Sequence, residues 1–295
     1  MASVAANGIH IEYESFGPAD APAVLLIMGL GGQMTRWNDE LCAILVGRGF
    51  RVIRFDNRDC GLSTHFDDAP VPNLRAVQAG EAVALPYTLD DMAADCIGLL
   101  DALGIAQAHV AGASMGGAIA QILAARNPQR LLSLTSIMSS SGNPGLPSPT
   151  PAAATALFAP LPRQRDRESI VADQIARFAT LASPAYPTPP DRLYRMFADE
   201  YERAFDPRGV ARQLAALIAN GDRRHLLREI ELPTVVVHGV EDQLIPFAHG
   251  EDVARYIRHA ELQPIAGMGH DFPVALSGAL ADTIGAAASR AGLPK

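Results

Sequence analysis

The sharpest chemical signal in the chain is Gly112-Ala113-Ser114-Met115-Gly116, a serine with glycine two residues away on each side. The run before it, AHVAGA, reads as a buried strand, and MGGAIAQILAAR after it reads as a helix. A strand that turns so sharply into a helix holds its serine above the carboxyl edge of a sheet, and only small residues fit where the backbones converge. The helix N-terminus then favours the negative charge that develops when the serine attacks a carbonyl. A bare GxSxG is a weak signal; its place between strand and helix makes it strong.

A serine hydroxyl is a poor nucleophile until a base takes its proton, and the base needs an acid to orient it. Chains built on this turn place the acid and then the base downstream of the serine. Five histidines follow: His225, His238, His249, His259 and His270. His270, in GMGHDFP, falls on a glycine-flanked loop after the last expected strand, and functional side chains concentrate on such loops. His238 reads as a strand or core residue, and the other three read as helix-surface residues. For the acid, the loop after TVVVHG offers Asp242 and its neighbour Glu241. Asp242 has the better spacing from Gly239 at the end of a parallel strand, where α/β sheets place their sites. Glu241 is the rival and otherwise a solvated loop carboxylate.

The tetrahedral oxyanion needs two N–H donors. Met115, directly after the serine, supplies one, and Leu30 in the glycine-rich Met28-Gly29-Leu30-Gly31-Gly32 is the candidate for the second. Glycines after a strand also suit phosphate, but neither GxGxxG nor GxxxxGK[ST] is present. Met28, Gly29, Trp37 and Met138 are candidates for the pocket wall. Trp37 equally suits packing at a helix start, and the methionines equally suit the core.

These groups must be held by alternating strands and helices, and the chain supplies them. Strands are expected at Ile9–Phe16, Val24–Met28, Arg51–Asp56, 108–113, 131–138, 234–239 and 260–265. Helices are expected over 38–48, from a Thr88 cap to a Gly104 stop, over Met115–Arg126, 247–258 and 274–291. Residues 142–162, rich in Pro, Gly and Ala, break this rhythm, and 166–229 read as interrupted helix. The expected division is a core of 1–142 and 231–295 with a helical insert at 143–230, far longer than an ordinary loop. In FDNRDCGLS, the charged Asp56, Arg58 and Asp59 are expected to tie down the loop after their strand.

Composition narrows the function classes. At 295 residues and 48% hydrophobic content a large core can form. A formal charge of -8 without Lys/Arg runs argues against a nucleic-acid footprint or membrane-surface patch. The N-terminus lacks a charged start and an apolar stretch, and no long apolar run exists, so a soluble cytoplasmic protein without membrane insertion is expected. Cys42, Cys60 and Cys96 are scattered, with no spacing for a disulfide frame or a zinc site. No metal and no cofactor are expected. The partner expected is a small-molecule ester, and a homodimer is the assembly allowed for.

Together LLIMGLGG, RVIRFDNRDCGLST, HVAGASMGG, VVVHGVEDQLIP and GMGHDFP, in this order, resemble the α/β-hydrolase superfamily over nearly the whole chain. The segments 28–64 and 111–142 are similar to bacterial carboxylesterases of the aclacinomycin methylesterase-like group. The resemblance implies an α/β-hydrolase fold: a mostly parallel eight-stranded sheet flanked by helices, with a helical lid inserted after strand 6. It implies Ser114, Asp242 and His270 as a triad and carries no substrate with it; the function expected is hydrolysis of small to medium apolar esters through an acyl-enzyme. The chain has Met28-Gly29 where many members have His-Gly, and a serine where dehalogenases and epoxide hydrolases carry Asp. Two other readings use the same residues: carbon–carbon hydrolysis or cofactor-free perhydrolase/haloperoxidase chemistry, and a small-molecule receptor without turnover.

Overall fold

Eight strands form one sheet: β1 (Ala2–Ala6), β2 (Ile9–Phe16), β3 (Ala23–Ile27), β4 (Arg51–Phe55), β5 (Ala108–Ala113), β6 (Leu131–Ile137), β7 (Thr234–Gly239) and β8 (Glu261–Ile265). They are seen in a computed structural model that describes residues 2–159 and 161–292. Met1, Pro160 and residues 293–295, within the domain ranges above, lie outside the described residues. The order across the sheet is β1-β2-β4-β3-β5-β6-β7-β8. β2 is antiparallel to both its neighbours, and all pairings from β4 to β8 are parallel.

The helices are α1 (Asp39–Gly47), α2 (Leu74–Gln78), α3 (Leu89–Ala102), α4 (Met115–Arg126), α5 (Pro151–Phe158), α6 (Arg167–Leu181), α7 (Pro190–Arg203), α8 (Pro207–Asn220), α9 (Arg224–Leu227), α10 (Ala248–Tyr256) and α11 (Ser277–Arg290). Strand periodicity decides which helix each side chain meets. In β3, Leu25 and Ile27 join a core shared with α3 and α4, while Val24 and Leu26 join the opposite core with α1 and α11. The strand is apolar throughout because both its faces are covered. Each fully buried leucine contributes about 2 kcal/mol. Asn38 caps α1 by accepting from Leu41 N at 2.8 Å, and Thr88 with Asp91 forms a full capping box on α3.

β1 is absent from the sequence reading. Its hairpin turns on Asn7-Gly8, both at positive φ (49° and 77°), the two-residue turn whose twist matches paired strands. The other expected elements appear within a few residues of their limits, the last one opening as a 3-10 turn at Val274–Leu276 before α11.

Between β6 and β7 the described residues contain α5 to α9 and no strand. The charged loop after β4 fastens part of this insert. Asp56 accepts from Met34 N (2.8 Å) and Leu62 N (2.9 Å) and pairs with Arg203 at 2.6 Å. Asp59 takes a two-pronged bond from Arg212 (2.8 and 2.8 Å) and one from the Tyr87 hydroxyl (2.6 Å). Arg58 is bidentate to Asp95 (2.6 and 2.7 Å). Oxygen and nitrogen atoms of Asp59, His65 and Asp206 lie within 4.8 Å of one another, but Arg212 already meets both carboxylates, the second at 3.4 Å. All three cysteines are buried and unpaired. Among the described residues no helix is long and apolar enough to cross a membrane.

Candidate active site

Apart from Trp37, the candidate residues lie just beyond the carboxyl ends of parallel strands: Met28–Leu30 after β3, Ser114 and Met115 after β5, Met138 after β6, Asp242 after β7 and His270 after β8. Ser114 opens α4 with φ 52° and ψ -118°, a conformation that disfavours any residue with a side chain. The fit explains the glycines around it. A Cβ on Gly116 would sit 2.1 Å from Ile27 O, and one on Gly112 would sit 2.2 Å from Gly116 O. Serine is a favoured N-cap residue, yet this hydroxyl makes no cap bond. It turns instead to His270 Nε2 at 3.0 Å.

His270 Nδ1 lies 2.7 Å from Asp242 Oδ2. Facing a carboxylate, Nδ1 carries the proton and donates it, which leaves Nε2 free to accept from Ser114. The other Asp242 oxygen accepts from Leu244 N (2.9 Å) and Ile245 N (2.8 Å). Burial raises the Asp242 pKa, but His270, hydrogen bonds from His238 and His270 and the Ile245 amide outweigh it. The carboxyl is therefore held well below the usual carboxylate range. Such a relay can move a hydroxyl proton onto imidazole and leave the acid ionised. Glu241 is elsewhere: its carboxylate accepts from Gly267 N at 2.5 Å on the exposed side of the loop.

His238 is buried, as its strand position implies, and it also meets the acid. Its Nε2 donates to Ile245 O (2.7 Å) and lies 3.5 Å from Asp242 Oδ2. His249, expected on a helix surface, lines the cavity, accepting from Ser140 Oγ at 2.8 Å and donating to Pro147 O at 2.9 Å. Nothing in its local sequence points inward.

Met115 is the first residue of α4, so its N–H belongs to the unpaired helix start. The loop bearing Leu30 abuts the serine: a Cβ on Gly29 would lie 3.1 Å from Ser114 Cβ. The cavity above Ser114 measures about 910 Å³. Met28, Gly29 and Met138 line it, with Leu30, Leu214 and Leu217. Trp37 does not line it. Trp37 is fully buried, with its ring 4.8 Å from that of Phe272, and Phe272 faces the cavity in its place. The helix-start packing reading of Trp37 is the one that holds.

The insert also reaches the His270 loop. His270 N donates to Leu181 O (2.7 Å), and Gly269 N donates to Ser183 Oγ (2.9 Å). Next to His270, the Asp271 carboxyl accepts from Ser183 N at 3.0 Å and from Ser183 Oγ, while its second oxygen is buried with no partner. Burial pushes this carboxyl from 3.8 up to about 6, against the lowering pull of Ser183 and His270. A folded-state pKa above the unfolded one means the folded state holds the proton more tightly. Its contribution is therefore fullest below 3.8 and declines as pH rises through about 6. Asp271→Asn removes that titration. Between pH 4 and pH 8 its stability relative to wild type should rise by about 2 kcal/mol, read from urea melts. A difference that stays flat across this range would show that the carboxyl titrates normally.

Comparison with known proteins agrees with this fold. A family model described as alpha/beta hydrolase fold matches residues 22–274. The chain is 29% identical over 287 residues to the rhodomycin D methylesterase DnrP of Streptomyces peucetius, covering 90% of each. It is 27% identical over 261 residues to 3-oxoadipate enol-lactonase 2 of Acinetobacter baylyi, covering 88% of this chain and 86% of the relative. The crystal structure of the enol-lactonase from Burkholderia xenovorans LB400 superposes with a TM-score of 0.74 at 25% identity, covering 98% of this chain and 100% of that one. By family match, sheet order and relatives alike, this chain belongs to the α/β-hydrolase family.

Proposed function

We propose that this protein is a carboxylic-ester hydrolase that works through a Ser114–His270–Asp242 triad. The observation that carries the reading is the unbroken relay from Ser114 Oγ to His270 Nε2 (3.0 Å) and from Nδ1 to Asp242 (2.7 Å), set on a strained turn that opens into a cavity. His270 takes the hydroxyl proton as Ser114 attacks the ester carbonyl. The N–H groups of Met115 and Leu30 receive the oxyanion. His270 then protonates the departing alcohol, leaving an acyl-enzyme. A water deprotonated by His270 releases the acid and restores the serine.

The names of the relatives, a methylesterase and enol-lactonases, support an ester or lactone as substrate. The apolar walls around Ser114 favour small to medium apolar acyl groups. In this reading residues 143–230 serve as a lid over the core of 1–142 and 231–295. The test is multiple-turnover hydrolysis of p-nitrophenyl acetate, butyrate, octanoate and laurate. Turnover should be highest for butyrate or octanoate and decline at laurate. A folded protein that turns over none of the four would sink the reading.

A further inference from the structure

Helix α8 belongs to the insert, yet it is bonded into the loop that bears Leu30. Gln213, with no solvent exposure, accepts from Gly31 N through Oε1 at 2.9 Å and donates from Nε2 to Arg58 O at 2.7 Å. Residues 29–32 form a tight turn, in which Gly32 N donates to Gly29 O at 3.2 Å and Gly31, in the third position, has φ +62°. Turns of this size exist in two forms related by a half-rotation of the central peptide, and positive φ at the third position marks the form that glycine permits. Here the central peptide joins Leu30 to Gly31. Its N–H is the one that Gln213 accepts, so Gln213 selects between the two forms.

The lock is itself rigid. Arg212, the preceding residue, is fully buried and grips Asp59 with two bonds. Val210, on the same helix, backs directly onto the turn: a Cβ on Gly31 would lie 2.9 Å from Val210 Cγ2. A primary amide also suits the position at every pH. It offers an acceptor to Gly31 and a donor to Arg58 at once, and it brings no charge into a buried place.

We propose that Gln213 is a positioning residue for ester hydrolysis, pinning the 29–32 turn in place against α8 so that the Leu30 N–H stays aimed at the oxyanion. The Leu30 N–H lies in the peptide just upstream of the pinned one, so a turn that shifts on its anchor carries that N–H with it. This rests on the ester-hydrolase reading given above. The insert then does more than cover the substrate; it completes the geometry of the oxyanion site.

The test compares Gln213→Met, close in shape and without either bond, with Gln213→Glu. On p-nitrophenyl butyrate, Gln213→Met should lower kcat at least tenfold while KM stays within twofold, since the chamber walls that bind the ground state are untouched. Residue-resolved amide exchange at Gly31 should accelerate by more than the loss in global stability, the melting temperature falling by a few degrees because two groups lose their partner. In Gln213→Glu, a protonated carboxyl reproduces both bonds and an ionised one only the acceptor. Its kcat relative to wild type at the same pH should therefore climb as pH falls, a signature that packing alone does not give. Wild-type kcat in Gln213→Met, or Gly31 exchange that does not change, overturns the proposal. If Gln213→Met does not fold, Gln213→Glu decides: a ratio that ignores pH counts against the lock. Should the wild type hydrolyse no ester, the hydrolase reading falls, and Gly31 exchange still judges the lock alone.

Discussion

Ser114→Ala will abolish multiple-turnover ester hydrolysis, with kcat falling by a factor on the order of 10⁶, while the protein stays folded. The size follows from the role: without Oγ no acyl-enzyme forms, and only the oxyanion donors and the cavity remain to assist a water. Stability should barely move. Alanine keeps the Cβ that the turn already accommodates at φ 52°, and the lost bond to His270 is worth about 1 kcal/mol. Two measurements check this together. Intact mass after treatment with a fluorophosphonate should show one adduct on the wild type and none on Ser114→Ala, and the two melts should nearly overlay. Near-normal hydrolysis by the variant would remove the serine from the mechanism altogether.

What was legible in the sequence follows from how local each constraint is. The turn around Ser114 demands small residues within two positions, so Gly112 and Gly116 announce it; their missing side chains leave room for Gly116 O and Ile27 O. Asp242 follows a strand whose apolar run marks it as buried, while His270 follows the half-exposed edge strand β8, and the loops after these parallel strands converge at one sheet edge. β1 was equally local, since Asn7-Gly8 between alternating runs is a strong hairpin signal, but its weakly apolar residues hid it. Trp37 was ambiguous for a different reason. A large aromatic beside a candidate pocket suits the wall and the layer behind it equally, and the choice depends on Phe272, far along the chain. The contacts of the insert were beyond reach for the same cause. Gln213 on Gly31, Ser183 on Asp271 and Leu181 on His270 join residues separated by about 90 positions or more, and no periodicity records such pairings. The same distance hid His249, whose inward turn depends on Ser140 and Pro147.

The choice between two adjacent carboxylates gives the second large effect: Asp242→Asn should lower kcat by a factor of about 10⁴, and Glu241→Gln should leave it within about twofold. What differs between them is which carboxylate faces the imidazole. Asp242 Oδ2 accepts the Nδ1 proton of His270 at 2.7 Å, while Oδ1 is held by the amides of Leu244 and Ile245. An asparagine keeps the second pair of bonds by placing its carbonyl there, so the loop survives. Its NH₂ then faces Nδ1 as a donor, and the imidazole must answer as an acceptor. The proton moves to Nε2, the atom that should take the proton from Ser114, and the base is disabled by tautomer instead of by loss of structure. Glu241 has no such leverage. The one described bond of its side chain is to Gly267 N, which a glutamine oxygen still accepts. Because the Asp242 carboxyl is held below its ordinary range, it stays ionised wherever the enzyme is assayed near neutrality, and the acid limb of the rate profile should not be its own. The measurement is kcat and KM for both variants on one p-nitrophenyl ester from pH 6 to pH 9. Equal losses would mean that the loop is merely fragile or that the acid was assigned to the wrong carboxylate, whereas a loss confined to Asp242→Asn, with KM unchanged, ties the chemistry to the orientation of a single imidazole.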